Sequence, residues 1–183
     1  MGTPVADPFD AVISLTRAAP VLPSGVGVLA VDGRSGAGKS ELATAVAAHL
    51  DATVVRLDHL YPGWDGLEAG VDRLVEWILR PLRAGDPVRW RRYDWLRERF
   101  GRWRDLQPTP LVIVEGVGAG ARRCAPFLSA LVWVEAPRDV RRRRALERDG
   151  DTYAPHWNRW AAQEDHYIAL DQPAARADLI ITS

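Results

Sequence analysis

The amino-acid sequence predicts an α/β fold in which five parallel strands form a sheet with helices on both faces. Short, continuous apolar runs, typical of strands buried on both faces, recur along the chain. Segments with a helical spacing of apolar residues lie between these runs, and this alternation is typical of a parallel sheet. The chain has 183 residues, of which 47% are hydrophobic, so we predict one domain over residues 1–183.

The predicted elements begin with a helix over residues 7–19, which Asp7 can cap and Pro8 can open. Apolar and often β-branched runs predict strands at 26–31, 53–57, 111–116, 131–136 and 178–183. Further helices are predicted at 40–50, 68–85, 138–150 and 156–170. Pro81 is expected to kink or end the helix in which it lies. Parallel sheets bind ligands beyond the carboxyl ends of their strands, so chemistry is expected after residues 31, 57, 115 and 135.

The composition argues against several classes of protein. The 24 basic and 24 acidic side chains cancel, so no overall charge attracts nucleic acid or a membrane surface. Cys124 is the single cysteine, which excludes a disulfide framework and a cysteine-based metal cluster. The first residues lack the pattern of a secretory signal, Ala6 stands where a myristoylation signal after Gly2 needs Ser or Thr, and no apolar run approaches about 18 residues. We therefore expect a cytoplasmic protein without a nucleic-acid or membrane partner, and a homo-oligomer stays open.

Residues 33–40, GRSGAGKS, fit the phosphate-loop pattern G-x-x-x-x-G-K-[ST] between a predicted strand and a predicted helix. Glycines let backbone N–H groups approach phosphates at the amino terminus of a helix. Lys39 is the only lysine in the chain, and its slender ammonium group can reach between the β- and γ-phosphates where a planar guanidinium would not fit. The Ser40 hydroxyl can bind Mg²⁺. We therefore predict ATP and Mg²⁺ as cofactors, with ATP contacts from Gly33, Arg34, Ser35, Gly36, Ala37, Gly38, Lys39, Ser40 and Glu41.

Two acidic residues lie at the ends of predicted strands, where ligands are expected. Asp58 follows the strand at 53–57, and Glu115 lies near the end of the strand at 111–116. A kinase needs one carboxylate that orients the acceptor hydroxyl and takes its proton, and another beside the metal ion. We therefore predict Asp58 as the catalytic base and Glu115, with Ser40, as the metal site. The alternatives are an Asx-turn or helix cap for Asp58 and an ion pair for Glu115, and we expect His59 to line the cleft rather than act as the base.

Five segments, in this order, resemble the uridine kinase and phosphoribulokinase-like family of P-loop kinases. They are the phosphate loop, LDHLY at 57–61, VIVEG at 112–116, DVRRRRALERD at 139–149 and ADLII at 177–181. The resemblance covers most of residues 27–182 and implies a P-loop NTPase kinase fold with a helical lid. It also implies an ATP-dependent kinase that phosphorylates a hydroxyl group of a nucleoside or a related sugar.

The resemblance further implies roles for single residues. Asp58 matches the family's base and Glu115 its metal-site acid, and acceptor contacts are implied for Tyr61, Asp65, Tyr93 and Asp94. The chain departs from the family at His59 and Leu60, where the family has Asp and Phe, and near Glu98, where the family has His.

An arginine-rich segment, residues 138–150, corresponds to the lid of these kinases. On a helix, Arg141, Arg144 and Arg148 would project within about 60° of one another. The resemblance implies that these three arginines are catalytic and reach the transferring phosphoryl group, whose charge guanidinium groups stabilise. The alternative is a solvated, charged helix face.

The segment at 86–110 alternates arginine and aromatic residues and is predicted to be an acceptor-side insert. Its side chains could stack on a nucleobase or a single-stranded nucleic acid, or could bind a phosphate on the acceptor. A third alternative is a helical lid with tryptophans facing inward. Trp157, Trp160 and Glu164 are expected in the core, and GVGAGA at 116–121 is expected near the nucleotide.

The sequence therefore predicts an Mg·ATP-dependent small-molecule kinase whose partners are ATP and a small acceptor. One alternative is a kinase for an already phosphorylated acceptor, such as a nucleoside monophosphate. Another is an ATP-binding switch without an acceptor, and Asp58 separates these hypotheses because a switch needs no acceptor base.

Overall fold

The computed structural model describes residues 7–183, so the expectation for Gly2 and Ala6 lies outside the described residues. The strands are β1 (Gly27–Asp32), β2 (Thr53–Arg56), β3 (Val88–Asp94), β4 (Arg99–Leu106), β5 (Leu111–Glu115), β6 (Ala130–Glu135) and β7 (Leu179–Thr182). The helices are α1 (Pro8–Ala18), α2 (Lys39–Leu50), α3 (Leu67–Arg73), α4 (Arg80–Ala84), α5 (Arg138–Tyr153), α6 (Trp157–Asp171) and α7 (Pro173–Arg176). A π-helical segment, Leu74–Leu79, joins α3 to α4, and short 3₁₀ turns cover Leu57–His59, Ala125–Phe127 and Ala154–His156.

Five strands form one parallel sheet in the order β2-β5-β1-β6-β7. Apolar side chains of α1 and α2, such as Ile13 and Val46, pack on one face of this sheet. Side chains of the π-helical segment and α6, such as Leu74 and Trp160, belong to the core on the other face. The structure confirms the predicted fold class, and it places the carboxyl ends of β2, β5 and β1 side by side.

The helices lie close to their predicted positions. Asp7 caps α1 by accepting a hydrogen bond from the Phe9 N–H at 2.9 Å. Pro81 lies in the first turn of α4, after a π-helical segment in which the Arg80 N–H donates to the Val75 carbonyl oxygen. The predicted helix at 138–150 continues as α5 to Tyr153, with a kink at Gly150. No helix within residues 7–183 combines the length and apolar character needed to cross a membrane.

The segment at 86–110 differs from the helical lid that was considered for it. Strands β3 and β4 form an antiparallel hairpin, so the helical alternative is wrong. Because successive side chains of a strand point to opposite faces, the aromatic residues divide between the two faces of the hairpin. On one face, Phe100 and Trp103 contact Trp77 of the π-helical segment. On the other face, Trp90 stacks on His59.

Candidate active site

The phosphate loop, residues 33–40, leaves β1 and enters α2. Gly33 and Gly36 have φ values of 146° and 78°, which other residues rarely adopt. A side-chain carbon at Gly33 would collide with the backbone of Val134, and one at Gly36 with the backbone of Arg141. The loop therefore packs against β6 and α5, and its last residues form the amino terminus of α2, where phosphates bind favourably.

Lys39 and Ser40 begin α2 and lie beside the acidic end of β5. The Lys39 ammonium group is buried and donates a hydrogen bond to the Arg34 carbonyl oxygen at 2.9 Å. The Ser40 hydroxyl donates to Glu115 Oε1 at 3.1 Å, so the structure brings the two predicted metal ligands together. Burial raises the pKa of Glu115 above its usual value, and the Lys39 charge acts in the opposite direction.

Arg56 joins this group, and no motif of the sequence pointed to it. Its guanidinium donates to Glu115 Oε2 at 3.2 Å and to Thr44 Oγ1 at 3.0 Å. Glu115 is thus bonded through one oxygen to Ser40 and through the other to Arg56.

The donor set fits Mg²⁺ bound together with a nucleotide. Residues 7–183 contain no cluster of three or more His, Cys, Asp or Glu side chains that could hold a metal ion alone. Mg²⁺ usually keeps several waters and takes only one or two protein ligands when phosphates also bind it. The Ser40 hydroxyl and the Glu115 carboxylate supply oxygen donors of this kind beside the phosphate loop.

A cavity of about 650 Å³ opens beside the phosphate loop. Its lining combines phosphate-loop and α2 residues with arginines, aromatic rings and the acid after β2. The lining residues are Ser35, Ser40, Glu41, Arg56, Asp58, His59, Tyr61, Trp64, Arg92, Trp95, Arg148, Thr152, Tyr153 and Trp160. The structure therefore brings Asp58 and the phosphate loop to one cavity.

Asp58 lies in the 3₁₀ turn after β2, with its carboxylate exposed. Its backbone carbonyl accepts a hydrogen bond from the Trp95 indole N–H at 2.9 Å. Among residues 7–183, no N–H donates to the Asp58 carboxylate as a cap or Asx-turn would require. His59 lines the same cavity, and burial together with the Arg92 charge lowers the pKa of its imidazole to about 4.

The three lid arginines do not converge on the cavity. Arg141 is buried, and its guanidinium donates to the Ala136 carbonyl oxygen at 3.0 Å. Arg144 donates to Ser183 Oγ at 2.9 Å, away from the cavity lining. Arg148 alone of the three lines the cavity. Arg141 also donates to the Ser35 carbonyl oxygen at 3.5 Å, and Arg144 Nη1 lies close to Gly38, so both guanidinium groups lie against the phosphate loop. The catalytic role of the three arginines stays a prediction.

Three of the four predicted acceptor residues lie outside the lining of this cavity, and their role stays a prediction. Asp65 forms an ion pair with Arg159 and lines a separate cavity of about 320 Å³. Tyr93 is buried against Trp95 and Phe100. Asp94 accepts hydrogen bonds from the backbone N–H groups of Leu96 and Arg97 and closes the hairpin turn.

Tyr61, the fourth, lines the cavity with its ring, while its hydroxyl donates to the Val117 carbonyl oxygen at 2.7 Å. Burial raises the pKa of this phenol well above its usual value. This wall of the cavity is aromatic. The Trp64 ring stacks on His156 with centroids 4.4 Å apart, and lies 4.8 Å from Trp95. Trp160, expected only in the core, is buried and also lines this wall.

Asp32, the last residue of β1, links the phosphate loop to the segment that follows β5. Its buried carboxylate accepts hydrogen bonds from the N–H groups of Gly33 at 2.6 Å, Gly118 at 3.1 Å and Gly120 at 2.8 Å, and from the Tyr167 hydroxyl at 2.6 Å. Burial raises the pKa of Asp32 above its usual value. The segment at 116–121, expected near the nucleotide, is tied to the loop through this carboxylate. An acidic residue ending an apolar strand was the signal in the sequence.

Glu164 of α6 also holds the loop. Its carboxylate is buried and accepts a hydrogen bond from the Ser35 N–H at 2.8 Å. Arg34 lies 3.6 Å from the same carboxylate and 2.6 Å from Asp165. Arg34 is thus paired with acidic residues of α6, and it is not among the residues that line the cavity.

Several solved structures share this fold. A "possible uridine kinase" from Bacillus stearothermophilus has a TM-score of 0.70 and 22% identity over 94% of this chain and 96% of its own. A "putative fructose transport system kinase" from Silicibacter sp. TM1040 has a TM-score of 0.66 and 21% identity over 96% and 99% of the two chains. Shikimate kinase from Acinetobacter baumannii, in complex with shikimate, has a TM-score of 0.51 and 17% identity over 88% of each chain.

No protein-family model matches the chain, and no curated protein matches it in sequence. At the identities of the structural neighbours, the likeness establishes the fold. Together with the parallel sheet and the loop at 33–40, these neighbours show that the chain has the α/β fold of the P-loop kinases.

Proposed function

We propose that the protein transfers the γ-phosphoryl group of ATP to a hydroxyl group of a small molecule, either a nucleoside or a related sugar. The observation that carries this proposal is the single cavity that joins Ser35 and Ser40 to Asp58. ATP bound at the phosphate loop and a hydroxyl group beside Asp58 would face each other across this cavity. The likeness to kinase structures supports a phosphotransferase in general terms.

In this reaction, the loop N–H groups and Lys39 hold the β- and γ-phosphates. Ser40 and Glu115 would hold Mg²⁺, which would neutralise phosphate charge. Asp58 accepts the proton of the acceptor hydroxyl while the hydroxyl oxygen attacks the γ-phosphorus and the bond to the β-phosphate oxygen breaks. Arg148, which lines the cavity, is placed to stabilise charge on the transferring oxygens. Residues 138–150 act as the lid over this step.

The aromatic wall supports a sugar or a base as acceptor, because Trp64 and Trp95 can pack against the apolar face of either. An already phosphorylated acceptor is the second candidate, and Arg92 in the cavity lining favours it. An ATP-binding switch needs no carboxylate opposite the phosphate loop, so Asp58 in this cavity favours the kinase.

A transfer screen with radiolabelled ATP over a library of nucleosides, sugars and their derivatives tests the proposal. We expect label on at least one hydroxyl-bearing compound with the wild-type protein and almost none with Asp58→Asn. Tight ATP binding without transfer to any compound would favour the switch.

A further inference from the structure

The β3–β4 hairpin is fixed against the residues that follow β2. The Trp90 ring stacks on His59 with centroids 5.9 Å apart and planes inclined by 19°. The Trp95 indole N–H donates to the Asp58 carbonyl oxygen at 2.9 Å. Arg92 lies between these two anchors in sequence and lines the cavity. Packing on both sides therefore holds Arg92 beside the proposed base.

A β-bulge in β4, at residues 101 and 102, lies opposite Arg92. Arg91 is opposite Trp103 and Tyr93 is opposite Phe100, so Arg92 faces two residues, 101 and 102, of the partner strand. Bulges re-aim side chains and occur often beside active sites. The irregular pairing is thus located at the one hairpin arginine that lines the cavity.

Three of the six other arginines in the hairpin are engaged within the hairpin itself. Arg89 pairs with Asp105, Arg91 donates to the carbonyl oxygens of residues 100 and 101, and Arg97 pairs with Asp94. In the described part of the chain, no carboxylate lies within ion-pair distance of Arg92. Arg92 is therefore available to a ligand.

A second arginine, Arg104, adds positive charge to the same region. It lies opposite Trp90 on β4, and side chains directly opposite in an antiparallel pair share a face. After burial, the charges of Arg92, Arg56 and Arg104 all act to lower the pKa of His59. Arg56 is already bound to Glu115, which leaves Arg92 and Arg104 for an incoming anion.

This positive region lies on the acceptor side of the cavity. Strand β5 separates β2 from β1, so the residue after β2 is about 10 Å from the phosphate loop by strand spacing. The hairpin packs on His59 and on Trp77. An anion held by Arg92 would therefore belong to the acceptor and not to ATP.

We propose that the acceptor carries its own anionic group, a phosphate monoester or a carboxylate, which Arg92 binds, with the Arg104 charge nearby, while the acceptor hydroxyl lies beside Asp58. This inference rests on the kinase function proposed above and, for the acceptor, favours a charged derivative over a free nucleoside or a neutral sugar. A guanidinium group can bind either oxyanion through two parallel hydrogen bonds. The arginine therefore indicates that the acceptor is negatively charged, but does not indicate its carbon skeleton.

Matched acceptor pairs test the inference: uridine with uridine monophosphate, ribose with ribose 5-phosphate, and glucose with gluconate. We expect the charged member to be preferred, and Arg92→Ala to raise its KM roughly 10- to 100-fold without changing the KM of ATP. The pair that shows the preference distinguishes phosphate from carboxylate. Arg89→Ala is the control, since it removes an arginine of the same strand that pairs with Asp105. A preference for neutral members that Arg92→Ala leaves unchanged would overturn the inference.

Anion binding separates this inference from the kinase proposal. With a non-hydrolysable ATP analogue in the donor site, inorganic phosphate and acetate are titrated by calorimetry into wild type, Arg92→Ala and Arg89→Ala. We expect wild type and Arg89→Ala to bind one of these anions and Arg92→Ala to bind it at least about 10-fold more weakly. Absent or equal binding in all three proteins contradicts the inference. Binding lost in Arg92→Ala, with no phosphoryl transfer to any acceptor, refutes only the kinase proposal.

Discussion

The phosphate loop and the β3–β4 hairpin lie on opposite sides of one cavity, and their sequences relate to their structures in different ways. The loop needs eight consecutive residues, because Gly33 and Gly36 allow backbone contacts that any side chain would block. The hairpin takes its place from distant partners, with Trp90 on His59 and Trp103 on Trp77. The phosphate loop is therefore encoded locally, whereas the position of the hairpin depends on packing between separate segments.

The strongest test of the donor side is Lys39→Ala. Loss of this ammonium group should lower transfer by roughly 10³–10⁵-fold, the worth of a positive charge on a transferring phosphoryl group. The fold should persist, because Lys39 contacts the Arg34 carbonyl oxygen and belongs to neither apolar core. Kinetics and far-UV circular dichroism measure the two effects. Lys39→Arg is the matched control: it keeps the charge and should also be inactive, and full activity of either variant would contradict the assignment of the loop.

Asp58→Asn tests the proposed base, which lines the cavity together with the phosphate loop and the hairpin residue Arg92. The amide keeps the shape of the side chain but cannot take a proton, so transfer should fall by roughly 10²–10⁴-fold while ATP affinity stays unchanged. Single-turnover transfer and nucleotide titration measure these quantities. Asp86→Asn, a change at an exposed position outside the cavity lining, should behave as wild type. Transfer at the wild-type rate by Asp58→Asn would exclude the role of base.

The sequence was sufficient for the sheet and the phosphate loop because their signals are local. Buried strands read as apolar runs, and the loop pattern prescribes its own backbone. The two residues of the predicted metal site also lie together, since Ser40 and Glu115 are within hydrogen-bond distance, and the metal site itself stays a prediction. Strand β1, which leads into the phosphate loop, and strand β5, which ends at Glu115, are neighbours in the sheet. The carboxyl ends of neighbouring parallel strands lie side by side.

The acceptor residues could not be predicted in the same way. Asp65 pairs with Arg159, which lies far along the chain, and Asp94 serves the hairpin turn. Neither contact has a local pattern, and the alternation of arginine and tryptophan at 86–110 suits a strand and a helix face about equally well. Arg92 differs from Arg89 and Arg97 because it lines the cavity and they form ion pairs, and the sequence alone does not show these contacts.

Asp32→Asn tests whether the phosphate loop depends on a residue outside its own sequence motif. The carboxylate accepts four hydrogen bonds from three chain segments. An amide has a single acceptor oxygen, and its NH₂ group would face donors, so at least one buried N–H would lose its partner. We expect the free energy of unfolding to fall by about 1–3 kcal/mol and the KM of ATP to rise. Urea denaturation and steady-state kinetics measure both, and Tyr167→Phe, which removes one donor, should have a smaller effect. Unchanged stability would show that the motif alone holds the loop.

The smallest expected effect concerns His59 on the acceptor side. Its pKa is lowered from 6.5 to about 4 in the folded protein, first by burial and then by the Arg92 charge. Between these two values the unfolded chain binds a proton that the folded chain does not, so this residue makes stability fall as the pH decreases from about 6.5 to about 4. Urea denaturation at several pH values should show a shallower fall in His59→Gln than in wild type. Arg92→Ala should lie between them, because it removes the largest charge that opposes protonation. Equal slopes in wild type and His59→Gln would mean that the hairpin arginines do not act on this side of the cavity.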